Sequence, residues 1–167
     1  MQADFIQAAE AVGAVVKQFF TLAEAGEYLT RLAGDGAVSC SALPGRLRQA
    51  LPDGPDAVPP AEARLCVSVA EAGIAATGSL LLDLQDQPGR AATALAPLHA
   101  VFLDPAAIVP TLADLAGRLQ QGISGGRQAY LSLTSGPSRT ADIERVLTIG
   151  VHGPKELHIL LLEGARP

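Results

Sequence analysis

The segment SGPSRTADIERVLTIGVHGPKELHILLL, residues 135–162, holds the densest set of side chains suited to chemistry. Ser135, Gly136, Ser138, Arg139 and Thr140 lead into a stretch with helical character, with Asp142 and Glu144 in its first turn. Gly136 lets the backbone turn and lets a ligand come close. Ser138 and Thr140 can cap the helix, whose free N–H groups and dipole favour an anion. Arg139 adds a cation with a bidentate fork. Together these suit a small anion: a carboxylate, a phosphate or a coenzyme tail. The same residues also suit a plainly capped helix, with Arg139 paired to Asp142 or Glu144.

Two further clusters stand out. In GVHGP, Gly150 and Gly153 hold His152 in a tight turn, where it could donate a hydrogen bond or act as a general acid or base. Equally, the two glycines could do no more than shape the turn before the last strand. In EAGIAATGS, Thr77, Gly78 and Ser79 offer hydroxyls and backbone N–H groups, and Glu71 closes the preceding strand. That carboxylate could be a nucleophile or base, or simply cap a helix or pair with an arginine. His99 opens an apolar strand; it is a candidate ligand contact, although a histidine there is more often hydrogen-bonded in the core. His152 and His158 lack HxH or HExxH spacing, so no metal site is expected. Ser138, His152 and Asp142 supply the residue types of a hydrolase triad but without GxSxG. Neither a Walker loop nor GxGxxG is present, which disfavours nucleotide hydrolysis and a simple NAD site.

These residues need a scaffold, and composition says what kind. The chain has 167 residues, enough for one domain, and 49% are hydrophobic, enough for a core. Only 17% are charged, so part of the surface is expected to lie under a partner or another stretch of chain. Net charge is -5 with no basic run, which excludes non-specific nucleic-acid binding. No apolar run is long enough to span a membrane, and the first residues do not read as a signal peptide. Cys40 and Cys66 form no CxxC, so a zinc knuckle or iron–sulfur cluster cannot be built from this chain alone. A cytoplasmic protein with reduced thiols is the expectation.

Along the chain, helices are expected at 3–12, 21–33, 42–50 and 111–121, with a last one over 141–149. Thr21 and Glu24 form a capping-box pattern, and Pro110 reads as a helix opener. Strands are expected at 14–20, 37–40, 65–69, 80–84, 98–103, 128–134 and 156–163. Residues 71–79 and 85–90 read as turns. PDGPDAVPP, residues 52–60, is a loop that could set a small N-terminal lobe, residues 1–51, apart from a main lobe at 61–167 within one α/β domain. Near-continuous apolar strands alternating with helices argue for an α/β fold with a mostly parallel sheet, helices on both faces. In such sheets ligands bind beyond the carboxyl ends of the strands, where the 135–140 loop is expected.

SGPSRTADIE followed closely by GVHGPKELHILLL resembles the end of the LUD domain, as found in the lactate-utilisation protein C family. Upstream, IAATGSLLLD resembles the family's glutamate–threonine–glycine turn and strand, and ALAPLHAVFL followed by IVP resembles its middle. The likeness covers roughly residues 65–163. It implies a NagB/RpiA/CoA-transferase-like fold and a role in bacterial oxidation of L-lactate to pyruvate alongside iron–sulfur partner proteins. This chain would then be an assembly or substrate-handling component that binds a small anionic ligand, with no cofactor of its own and the redox centres in its partners. The resemblance also implies a longer N-terminal stretch than precedes the likeness here. The chain departs from the family at Ala76, where a glutamate is usual. Two alternatives stay open. One is a stand-alone enzyme of the CoA-transferase-like superfamily acting on a coenzyme thioester or sugar phosphate, with Glu71 or His152 catalytic. The other is a regulatory or scaffold module whose pocket has decayed, which Ala76 would support.

Overall fold

The computed structural model describes residues 1–40, 43–51, 58–85, 87–117, 119–120, 130–140, 148–149 and 153–165. In chain order the elements are α1 (Gln2–Ala11), β1 (Val15–Phe19), α2 (Leu22–Ala33), β2 (Val38–Cys40), α3 (Gly45–Arg48), β3 (Leu65–Val69), β4 (Ala72–Ile74), β5 (Ser79–Asp83), α4 (Gln87–Leu95), β6 (Leu98–Leu103), β7 (Ile108–Val109), β8 (Leu131–Thr134), β9 (Arg139–Thr140), β10 (Thr148–Ile149) and β11 (Glu156–Leu162). Short 3-10 turns occur at Pro60–Glu62, Pro105–Ala107 and Leu112–Leu115.

The longest apolar runs become neighbours. β1, β11, β6, β3 and β2 form one sheet in that order, every pairing parallel. Interior strands of such a sheet are covered on both faces, which is why LCVSV and LHAVFL show no polar alternation and are buried throughout. At the edge, β1 exposes Lys17 and Gln18.

One face carries α2 and α3. Thr21 and Glu24 make the expected reciprocal cap, the Thr21 hydroxyl accepting from the Glu24 N–H at 3.2 Å. Leu29 and Leu47 then bury against Val67, Phe102 and Leu160. Full burial of one such leucine contributes about 1.5–3 kcal/mol. Tyr28 ties α2 to β11: its hydroxyl is 2.7 Å from His158 Nδ1, and His158 Nε2 is 2.9 Å from Glu156 Oε2. A carboxylate accepts only, so Nε2 is the donor to Glu156.

The other face carries α1, α4 and a second sheet ordered β7, β4, β5, β8. Phe5 and Ala9, one turn apart on α1, join Leu80 and Leu82 of β5 against Val101, Leu103, Ile159 and Leu161. Ala92 and Ala96 cover Cys66. The outer side of the second sheet presents Ala72, Ile74 and Leu81 to Leu115. The expected α/β architecture, a mostly parallel sheet with helices on both faces, is therefore the one the chain forms.

Local differences have physical causes. β4 replaces an expected turn: Ala72, Gly73 and Ile74 are all buried and pair with β5 on one side and β7 on the other. α4 occupies residues read as a turn: Pro88 sits in the first helical turn, where its missing N–H costs nothing, and the residues after Gly89 favour helix. The helix expected over 111–121 starts as a 3-10 turn after Thr111, which makes a capping box with Asp114. Residues 116–117 and 119–120 continue it as helix. At the far end of the expected 141–149 helix, Thr148–Ile149 is instead a strand paired antiparallel with Arg139–Thr140. Threonine and isoleucine are β-branched and suit that pairing. Residues 141–147 lie outside the described residues.

Candidate functional site: a hydroxyl-lined cleft

The loop after β8 has two sides. Gly136 has φ +69°, and a Cβ there would overlap the Val12 carbonyl at the end of α1. Gly78 has φ +65°, and a Cβ there would overlap the backbone of Ala8 and Ala9. Both positions need glycine so that α1 can pack directly on the chain. Arg139 joins them: its Nη2 donates to the Val12 carbonyl at 2.9 Å. A cation at a helix C-terminus is the favourable arrangement.

The other side of the loop faces a cleft of about 340 Å³. Leu82 and Leu84 give it an apolar wall, and Thr93 of α4 and Ser132 and Thr134 of β8 line it. Ser135, Gly136 and Ser138 supply the loop side, and Gly153 and Pro154 meet them from the turn before β11. The two bends are pinned together, the Ser138 N–H donating to the Pro154 carbonyl at 2.9 Å. His99 also lines the cleft and is only 2% exposed.

This cleft does not lie where the sheet rule placed it. His99 is the second residue of β6, and Gly153 precedes β11, so the cleft opens at the amino ends of those strands. The reason is that β8 belongs to the second sheet and pairs antiparallel with β5, so its loop does not leave a carboxyl end of the parallel sheet.

His99 Nε2 lies 2.8 Å from the Ser68 hydroxyl. Burial pushes its pKa down from 6.5 to about 4. At neutral pH the imidazole is uncharged, with one donor and one acceptor nitrogen. A hydroxyl chain runs into the cleft from the 77–79 turn: Thr77 Oγ1 is 2.7 Å from Ser79 Oγ, which is 2.6 Å from Ser135 Oγ. The arrangement can hold a small polar molecule by hydrogen bonds against one apolar wall.

Of the residues singled out in the sequence, the structure brings Ser135, Gly136, Ser138, Gly153 and His99 to one cleft and links Thr77 and Ser79 to it. Gly78 sits under α1 instead. Glu71 stands half-buried between β3 and β4, its N–H donating to the Leu81 carbonyl at 2.8 Å, and it is not among the residues lining the cleft. Arg139 reaches α1, and Thr140 lies in β9. Asp142, Glu144, Gly150 and His152 lie outside the described residues.

Sequence reasoning missed Ser68, Thr93, Ser132 and Thr134. Ser68 carried a signal, a lone hydroxyl inside a fully apolar strand. Thr93 carried none, since it lies in residues 91–97, where no element was expected. Among the described residues no three of His, Cys, Asp or Glu converge on a metal position. Cys40 and Cys66 form no disulfide and pack on opposite faces of the sheet. No described helix is long and apolar enough to cross a membrane.

Comparison with known proteins places these features. Residues 61–162 match the family model of the LUD domain. The chain is 34% identical over 104 residues to the uncharacterised protein YkgG of Escherichia coli, covering 61% of this chain and 45% of that protein. It is 33% identical over 92 residues to lactate utilization protein C of Bacillus pumilus, covering 54% and 38%. The Bacillus subtilis protein of the same name is 28% identical over 103 residues, covering 60% and 43%. The chain thus spans less than half the length of these relatives. A crystal structure of a DUF162 family protein from Deinococcus radiodurans shares the fold, with TM-score 0.68 and 20% identity over 97% of this chain and 98% of that one.

Proposed function

The chain belongs to the LUD domain family, and from that premise we propose that it is a component of an L-lactate utilisation system that binds a small hydroxy- or keto-carboxylate in its cleft. Two relatives named for lactate utilisation support the setting. The observation that carries the binding role is the cleft itself: hydroxyls of Thr93, Ser132, Ser135 and Ser138 and an uncharged His99 converge there beside an apolar wall. Hydroxyls and a neutral imidazole both donate and accept, which matches a ligand carrying a hydroxyl or carbonyl next to a carboxylate. The apolar wall of Leu82 and Leu84 suits a short hydrocarbon end. In this reading the oxidation of lactate is carried by iron–sulfur partner proteins, and this chain handles the substrate or product and holds the assembly together.

Titrating isotope-labelled full-length chain with L-lactate, and separately with pyruvate, tests the binding role by backbone chemical shifts. Shifts centred on residues 132–138, 99 and 153 are expected. Absence of any shift at millimolar ligand, or shifts scattered away from the cleft, overturns it. Affinity purification of the tagged protein from cells grown on lactate tests the setting. An iron–sulfur protein, recognised by its visible absorbance, should co-purify; none co-purifying refutes the assembly role.

A further inference from the structure

The cleft runs between α4 and β8, and one pair of side chains bridges those two walls. The Arg90 guanidinium lies 4.4 Å from the centre of the Tyr130 ring. Arg90 stands one helical turn before Thr93, whose hydroxyl donates to the Arg90 carbonyl at 2.8 Å, and Thr93 lines the cleft. Tyr130 immediately precedes β8, two residues before Ser132. The Tyr130 carbonyl accepts from the N–H of Leu84, another lining residue, at 2.8 Å.

None of the described residues lining the cleft is charged, since His99 is neutral at neutral pH. A carboxylate taken out of water needs a cation or several N–H donors. Among the described residues three cations adjoin lining residues along the chain: Arg90 is one helical turn from Thr93, Arg139 follows Ser138, and Lys155 follows Pro154. Arg139 is engaged at the Val12 carbonyl on the far side of its loop. Lys155 is exposed, beyond Pro154. Arg90 is half-buried, forms no ion pair with a described residue, and has its guanidinium over an aromatic ring. Stacking narrows the rotamers of an otherwise flexible side chain, so less entropy is lost when its fork meets a planar carboxylate.

We propose that Arg90, braced on Tyr130, is the residue that recognises the ligand's carboxylate and makes the cleft selective for anions. The charged end sits at Arg90, and the oxygen on the neighbouring carbon sits between the hydroxyls of Thr93 and Ser132. The assignment rests on the cleft being the ligand site proposed above.

Calorimetry on the full chain with L-lactate and its uncharged amide, L-lactamide, tests it. The wild-type protein should prefer lactate by about tenfold or more, the usual worth of a charge-assisted hydrogen bond. Arg90→Met should lose that preference by weakening lactate alone, and unchanged lactamide binding shows that the cleft is still formed. Arg90→Lys should restore part of it. If Ser132→Val weakens lactate but Arg90→Met keeps the preference, Arg90 is not the anchor although the cleft is the site. If the wild type binds neither compound, or neither variant changes lactate binding, both the assignment and the site are overturned.

Discussion

Protonation of His99 offers a direct test of the cleft's electrostatics. The side chain is 2% exposed, and burial lowers its pKa from 6.5 to about 4. In the unfolded chain the same imidazole takes up its proton near 6.5, so between these values the unfolded state binds more protons than the native one. Stability from this group is therefore complete above about pH 6.5, falls as pH is lowered toward 4, and changes no further below that. One pKa unit corresponds to about 1.4 kcal/mol, so the full loss is of the order of 3 kcal/mol. That is a large fraction of the roughly 5–15 kcal/mol of a typical domain. Acid also titrates carboxylates and the other histidines, so the wild-type curve alone does not isolate His99. His99→Gln does: glutamine can still hydrogen-bond the Ser68 hydroxyl, and it does not titrate. Urea unfolding of both proteins from pH 7.5 down to 4.5 should show the wild type losing about 2–3 kcal/mol relative to the variant, with the change concentrated below pH 6.5. Two stability curves that run parallel across this range would refute the argument. They would mean that His99 is solvated well enough to ionise in the native protein, and that the cleft carries a positive charge in mild acid.

Further substitutions probe the frame around the cleft. Gly78→Ala combines a positive φ with overlap of the α1 backbone, so it should destabilise the protein by about 2 kcal/mol or more in thermal or urea unfolding. Arg139→Ala removes a hydrogen bond from a charged group to the Val12 carbonyl and should cost about 1 kcal/mol in the same unfolding measurements. Thr21→Ala removes the α2 cap and should cost about 1 kcal/mol, whereas Thr21→Ser should cost far less in the same unfolding assay.

Much of the fold was legible because its signals are local. LCVSV and LHAVFL form strands over just the residues whose apolar runs proposed them, and the Thr21–Glu24 spacing makes the cap it suggests. Where local cues conflict, the reading failed. Pro88 and Gly89 look like a turn in isolation, yet they open α4, because a proline in the first helical turn loses no hydrogen bond. AGI is too short to show alternation, and it is a strand because β5 and β7 flank it. The site was legible in its residue types and not in its location. Placing the cleft required knowing that β8 joins β5 in a second sheet, and strand order is a property of distant pairings that no short window of sequence carries.

The division of labour within the 135–139 loop explains why so many suggestive residues gather there. Ser135 and Ser138 line the cleft, Arg139 grips the end of α1, and Gly136 does both, bordering the cleft while it presses on Val12, all within five residues. The 77–79 turn repeats the pattern: Gly78 lies under α1 while Thr77 and Ser79 extend a hydroxyl chain to Ser135. Glycines that resemble a ligand cradle are thus spent on a helix, and the hydroxyls between them are left to face the cavity. It follows that α1, although it contributes no lining residue, backs the wall that does. Ser135 can hold its position only while the adjacent Gly136 remains pressed on Val12. The geometry of the cleft is therefore set by how well the first helix is docked, not by the loop alone.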